Sequence, residues 1–238
     1  MKYTAIITAG GTSSRFGGTT NKLLEKIHGK EILKYTVEAF LQANIDEVII
    51  STNPAIIDVV AGMFQSFSNI KVVEGGATRQ ESVRKGLEAT DCDYVLIHDG
   101  ARPMINPEII KKLMVDVVEK RAISVMTKTV DTIKEVDEYG LIIKTIDRSK
   151  LYNTQTPQAF EYKIIKSAHE TLKDESYTDD AGMLEYLGYD VFIQEGDYRN
   201  IKVTTKSDLA LASIYLGEMY GNESVSYTHL TLPTNSLV

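Results

Sequence analysis

The sequence predicts a three-layer α/β fold with a mostly parallel sheet and a projecting β-hairpin arm, and three observations carry that prediction. Apolar runs rich in β-branched residues alternate along the chain with stretches of helical period. The first of these runs passes at once into a glycine-rich turn, "AGGTSSRFGG" at 9–18. One stretch, residues 128–152, breaks the alternation and has the pattern of a hairpin. Strand, helix, strand in this order implies a sheet covered on both faces.

Tyr3–Thr8 is the first strand, ended by the Gly pair. Ile32–Ala43 has apolar residues at helical spacing and leads to the strand Glu47–Thr52, "EVIIST". The helix Ala55–Phe67, the strand Ile70–Glu74, the helix Arg79–Ala89 and the strand Tyr94–His98 continue the alternation. Pro107–Lys120 is the next helix and Ala122–Lys128 the next strand. Residues 128–152, "KTVDTIKEVDEYGLIIKTIDRSKLY", then show alternation, a Tyr-Gly turn and no helical stripe. The helices Glu161–Leu172 and Thr178–Leu187, the strands Asp190–Gln194 and Ile201–Thr204, and the helix Ser207–Tyr220 complete the chain. No repeat, low-complexity tract or linker divides it, so residues 1–224 are expected to form a single domain. An isolated two-stranded arm is marginal in water, so its apolar residues Val130, Ile133, Ile142 and Ile146 predict a partner surface. The last fourteen residues, "VSYTHLTLPTNSLV", break with the composition before them and resemble a translated sequencing-library adapter. Residues 225–238 are therefore expected to be non-native and carry no function.

Of 238 residues, 43% are apolar and 25% charged, enough hydrophobic material for a core. A formal charge of −7 argues against a general nucleic-acid or membrane surface, since both reward a basic face. An anionic ligand would have to be met locally. The lone cysteine, Cys92, excludes an internal disulfide and fits a reducing compartment. The N-terminus lacks a long apolar signal region and no run reaches the length of a membrane span, so a cytoplasmic protein is expected.

In open α/β sheets ligands bind beyond the carboxyl ends of the strands, where the glycine-rich turn falls. Its glycines stand at 10, 11, 17 and 18, the wrong spacing for a dinucleotide fingerprint, and the second strand ends "STNP" with no acidic residue. A P-loop is excluded too, because leucine follows Lys22. Arg15 and Lys22 flank this turn, offering phosphate oxygens a fork and a point charge. "EGGATRQESV" at 74–83 places a Gly pair and Ser82 after the third strand, and "HDGARP" at 98–103 places Asp99 and Arg102 after the fourth. "RNIKVTT" at 199–205 places Lys202 in a late strand. Singly each fits a turn or a solvated charge. Together, Arg15, Lys22, Arg102 and Lys202 form a local cationic site in an acidic chain. His98, closing an apolar strand, reads as structural. Cys92 has no metal or redox spacing, and Tyr35, Tyr94 and Tyr186 read as core or rim.

The ordered set "AGGTSSRFG…NK", "GGATRQESV", "HDGARP", "DTIK", "IDRSKLYNTQTPQAF", "TDDAGMLEY" and "NIKVTT" resembles the 2-C-methyl-D-erythritol 4-phosphate cytidylyltransferases of non-mevalonate isoprenoid biosynthesis, across residues 1–222. The resemblance implies a Rossmann-like nucleotidyltransferase fold, CTP as co-substrate, Mg²⁺ held mainly by the CTP phosphates with no protein metal ligand assigned, and a homodimer whose arms cross. It implies that Ala9, Gly10, Gly11, Gly76, Ala77 and Ser82 hold cytosine and that Asp99 and Gly100 contact ribose, Asp99 being also a candidate outer contact to the metal. Arg15, Lys22 and Lys202 would act on the phosphates. Arg102, Thr156 and Thr178, with Thr132 and Arg148 of a second subunit, would meet the methylerythritol phosphate. Ser13 stands where the family has glycine, which narrows the loop's backbone freedom. Two other readings stay open here, a ribitol-5-phosphate cytidylyltransferase and, from another class, a nucleotide-binding module or NAD-type oxidoreductase.

Overall fold

The computed structural model describes residues 1–11 and 21–221. In chain order the elements are β1 (Tyr3–Ala9), β2 (Lys26–Ile27), β3 (Lys30–Glu31), α1 (Ile32–Gln42), β4 (Glu47–Thr52), α2 (Ile57–Phe64), β5 (Ile70–Glu74), α3 (Arg79–Glu88), β6 (Tyr94–Asp99), α4 (Pro107–Lys120) and β7 (Ala122–Lys128). There follow β8 (Lys134–Val136), β9 (Ile142–Thr145), β10 (Tyr152–Glu161), α5 (Tyr162–Thr171), α6 (Asp180–Tyr186), β11 (Phe192–Glu195) and α7 (Lys206–Tyr220). Seven strands form the central sheet in the order β11-β7-β10-β6-β1-β4-β5. All neighbours run parallel except β10, which is antiparallel to both β6 and β7.

Period-two alternation divides the core between the two faces. Ala5 and Ile7 of β1, with Val48 and Ile50 of β4, join Leu33, Val37 and Phe40 of α1 and Leu113 and Val117 of α4 in one cluster. Ile6, Ile49, Val95 and Ile97 point the other way, against Val83 and Leu87 of α3, Ile165 of α5 and Leu184 of α6. Each such side chain taken from water stabilises the fold by about 1.5–3 kcal/mol. Gly86 lets α3 lie close on β1, since a Cβ there would stand 2.6 Å from Ile6 Cγ2. Helix starts are capped by side chains: Asn106 and Thr78 accept backbone amides at α4 and α3, and Thr205 with Asp208 forms a capping box at α7.

The chain passes from β1 to β4 and β5 on one side, then returns to place β6 on the other side of β1. The crevice between the carboxyl ends of β1 and β6 is thus the topological switch point, where α/β sheets bind ligands.

Three sequence expectations need correction. Residues 201–204 form no strand: the segment is irregular, fastened by the Val203 amide to the Ala101 carbonyl at 2.8 Å. Conversely, β10 is a full strand that the sequence reading leaves unassigned, because Pro157 removes a ladder donor. The chain accommodates that proline, after a cis Thr156–Pro157 bond, in a register shift between Thr154 and Gln158. Third, Tyr186 is neither core nor rim but 66% exposed, its ring tilted against that of Tyr177. The arm is present as the β8–β9 hairpin, with Val130, Ile133 and Ile142 exposed and Ile146 partly covered.

Candidate active site

A cavity of about 280 Å³ opens at the switch point. Thr8, Gly10 and Gly11 line it from the end of β1, Lys22 and Leu23 from the 3-10 turn that follows, Gly76, Ala77 and Thr78 from the loop between β5 and α3, and Arg79 and Ser82 from the first turn of α3. Asp99 and Ala101 line it from the end of β6, and Lys202 from the segment before α7. The sequence-predicted residues Gly10, Gly11, Lys22, Gly76, Ala77, Ser82, Asp99 and Lys202 are therefore brought together. Arg15 and Ser13 lie outside the described residues.

Asp99 is the electrostatic centre of the site. Its carboxylate, 8% exposed, faces Lys202 Nζ at 3.0 Å, Arg102 Nε at 3.3 Å and Arg79 Nε at 3.3 Å. Burial alone would push this carboxyl up; the facing charges of Arg79, Lys202 and Arg102 override it and hold the group well below the usual carboxylate range. Arg79 is shared, because its Nη2 lies 2.7 Å from the fully buried Asp180, which also contacts His169 Nε2 at 3.1 Å. Asp180 is likewise held below the carboxylate range: burial raises it, and Arg79 and His169 more than reverse that. Around Asp99 three cations converge on one carboxylate, a site biased toward anions inside a chain of net charge −7.

The neutral groups are as constrained as the charged ones. The Asp99 amide donates to Thr156 Oγ1 at 3.1 Å, which leaves the threonine hydroxyl to donate to His98 Nδ1 at 2.9 Å. His98 Nε2 then carries the proton and donates to the Arg102 carbonyl at 3.2 Å. Complete burial depresses the imidazole to about 3, so it stays neutral and serves as a fixed strut, as its place at a strand end suggested. Ser82 Oγ accepts the Gly76 amide at 3.0 Å and donates to the Thr78 carbonyl at 2.8 Å, while Glu81 accepts the Ala77 amide at 2.8 Å. Two amides of this loop are thus engaged by side chains of the first turn of α3, and Ser82 retains one lone pair for a ligand.

The remaining predicted residues fall into two groups. Ala9 is buried at the end of β1, Gly100 packs between Thr8 and Leu33, and Arg102 and Thr156 stand behind Asp99. These four support the cavity without lining it. Thr178 is exposed on the loop before α6. Thr132 and Arg148 are exposed on the arm, away from the lining, with Arg148 donating to the Val130 carbonyl. The sequence reading missed Arg79, although it stands inside the quoted "GGATRQESV"; a cation at the first turn of a helix gave no sign that it faces two acids. Cys92 is partly buried and free.

Comparison with known proteins agrees with this geometry. The family model described as 2-C-methyl-D-erythritol 4-phosphate cytidylyltransferase matches residues 3–218. A protein of that name from Caldanaerobacter subterraneus subsp. tengcongensis is 39% identical over 225 residues, 91% of this chain and 99% of the relative. One from Clostridium perfringens strain SM101 is 39% identical over 222 residues, covering 90% and 99%. Among solved structures, 4-diphosphocytidyl-2C-methyl-D-erythritol synthase from Anaerococcus prevotii superposes with a TM-score of 0.81 at 32% identity, covering 90% of this chain and 96% of that one. The 2-C-methyl-D-erythritol 4-phosphate cytidylyltransferase from Thermus thermophilus superposes with a TM-score of 0.74 at 27% identity, covering 90% and 98%.

Proposed function

Since this chain belongs to the 2-C-methyl-D-erythritol 4-phosphate cytidylyltransferase family and is a nucleotidyltransferase, we propose that it joins CTP and 2-C-methyl-D-erythritol 4-phosphate to give 4-diphosphocytidyl-2-C-methyl-D-erythritol and pyrophosphate. The observation that carries this reading is the convergence of Lys202, Arg102 and Arg79 on Asp99 beside Lys22, at the switch point of an acidic protein. A phosphate oxygen of the polyol phosphate attacks the α-phosphorus of CTP; one P–O bond forms and the bond to the pyrophosphate oxygen breaks. The nucleophile is already anionic, so the protein's work is positioning and charge stabilisation rather than proton removal. In this reading Arg15, Lys22 and Lys202 act on the phosphates, the glycine turns and Ser82 serve the base, Asp99 and Gly100 the ribose, and Arg102, Thr156 and Thr178 the acceptor.

Mg²⁺ is proposed to arrive on the triphosphate. Among the described residues no group of three or more His, Cys, Asp or Glu could hold a metal, and Asp99, the carboxylate in the cavity lining, already engages three cations. When bound, the ion would neutralise charge on the phosphate oxygens. The catalytic unit is proposed to be residues 1–224 as one domain in a cytoplasmic homodimer. The exposed apolar arm supports the dimer, and through it Thr132 and Arg148 would reach the neighbour's acceptor side. No helix among the described residues is long and apolar enough to cross a membrane. Pyrophosphate release tests the reading: turnover is expected with CTP, methylerythritol phosphate and a divalent cation together. Equal turnover with ATP or with ribitol 5-phosphate, or full activity in chelator, would defeat it.

A further inference from the structure

We propose that Asn200 is the positioning residue for the acceptor side of the site, fixing Arg102 and Thr156 together without touching substrate and anchoring the short chain that carries Lys202 to the phosphates. Asn200 lies in irregular chain between β11 and α7, yet it is completely buried. Its Nδ2 donates to Gln155 Oε1 at 3.1 Å and to the Thr156 carbonyl at 2.9 Å. Its own carbonyl accepts Arg102 Nη1 at 2.8 Å. Gln155 ties the same strand back to the loop, donating through Nε2 to the Asp197 carbonyl at 2.9 Å.

Three consequences follow from that one side chain and its peptide. Lys202 is suspended between two anchored points, the clamp at Asn200 and the Val203 amide bonded to Ala101, so its ammonium is delivered to Asp99 by a short stretch of restrained backbone. Arg102 has one end of its guanidinium on the Asn200 carbonyl and the other on Asp99, so its plane is set from two sides. Thr156, whose backbone Asn200 holds, keeps its hydroxyl under the Asp99 amide. Such buried, multiply bonded amides rigidify the groups they connect. Asn200 Oδ1 finds no partner among the described residues, so the donor end of this side chain carries the geometry. Among the described residues, Gly10, Gly76 and Ser82 of the nucleotide side have no hydrogen bond to Asn200.

This inference rests on the proposed function, and the test separates the two. In Asn200→Ala, kcat/KM for methylerythritol phosphate is expected to fall at least thirtyfold, while the calorimetric Kd for CTP stays within threefold of wild type, because Lys202 acts on the phosphates as charge develops in the transition state rather than in the ground state. Gln155→Ala, which removes the second tie, should give a smaller loss with the same split; it carries the test should Asn200→Ala fail to fold. A crystal structure of the folded variant supplies a readout independent of turnover, in which Lys202 Nζ is expected to have left Asp99. Wild-type protein inactive on both substrates would remove the functional reading alone. Equal losses on both substrates, or a variant with Lys202 and Arg102 unmoved on Asp99, would overturn the role of Asn200.

Discussion

Replacing Asp99 with asparagine should cost stability in a pH-dependent way, because the side chain keeps its size and loses only its charge. Three cations then face one another across a neutral amide. Severing a buried pair typically costs about 3–5 kcal/mol when the surviving charge has no alternative. Here two of the three do: the Lys202 side chain is 40% exposed and can turn to water, and Arg79 retains Asp180 at 2.7 Å. Arg102, 13% exposed, keeps only the Asn200 carbonyl among the described residues. A net loss of about 2–3 kcal/mol follows, roughly 5–10 °C in melting temperature for a chain of this size. The sign with pH is fixed by the depressed carboxyl of Asp99. Its contribution is complete above the unfolded value, about 3.9, and is lost as pH falls through the lower folded value. Urea unfolding of both proteins should therefore show a constant gap from pH 7 to about 4 that narrows at pH 3. Turnover should fall by roughly 10² as Lys202 and Arg102 lose their common anchor. A variant with the wild-type midpoint at pH 7, or a gap unchanged at pH 3, would refute this account of the site's electrostatics.

Lys22→Ala should lower kcat by roughly 10² or more, about 2.7 kcal/mol, with its melting temperature nearly constant; wild-type kcat would remove Lys22 from the phosphate role. Glu47 sits at the opposite end of the sheet with Lys2, Lys71, Thr4 and Thr90 around it: burial pushes its carboxyl up, but the bonds from Lys2, Lys71 and Thr90 prevail and hold it at about 2. Its stabilisation, about 2 kcal/mol after discounting two half-exposed lysines, is present above about pH 4.5 and lost toward pH 2, so Glu47→Gln should flatten the acid limb of a stability curve. Inactive Arg148→Ala chains mixed with inactive Lys22→Ala chains should recover toward a quarter of wild-type activity, since about half the dimers are mixed and each has one complete site. No recovery despite proven subunit exchange would place Arg148 in its own chain's site.

What could be read from the sequence, and what could not, divides along a physical line. β1, β4, β5 and β7 announce themselves because each is a short β-branched run bounded by polar residues, and the glycine turn after β1 identifies the ligand edge. β10 is hidden by Pro157, a local signal that the bulge at 155–157 overrides. Residues 201–204 alternate like a strand, yet Asn200 and the Ala101 carbonyl hold them in irregular chain. Asp99 is legible as candidate chemistry because a carboxylate closes an apolar strand, and Lys22 and Lys202 because they are cations within glycine-rich and polar motifs of an acidic chain. The pairing of Arg79 with Asp99 and Asp180 is not, since it joins residues 20 and 101 positions apart and only the folded sheet brings them together.

The break in the β10 ladder has a mechanical meaning. The strand is paired to β7 from Tyr152 to Thr154 and gripped again by β6 and β7 from Gln158 onward. Its first residue is also the root of the arm, so a load applied to the arm travels along a strand whose ladder gives way, at residues 155–157, to the side-chain clamp of Asn200. Four residues of extended chain, about 13 Å, separate that root from Thr156. Thus Gln155 and Thr156, which meet Asn200 and the Asp99 amide, lie on the path between the arm and Asp99. Whatever seats the arm therefore bears on the clamp beside Asp99.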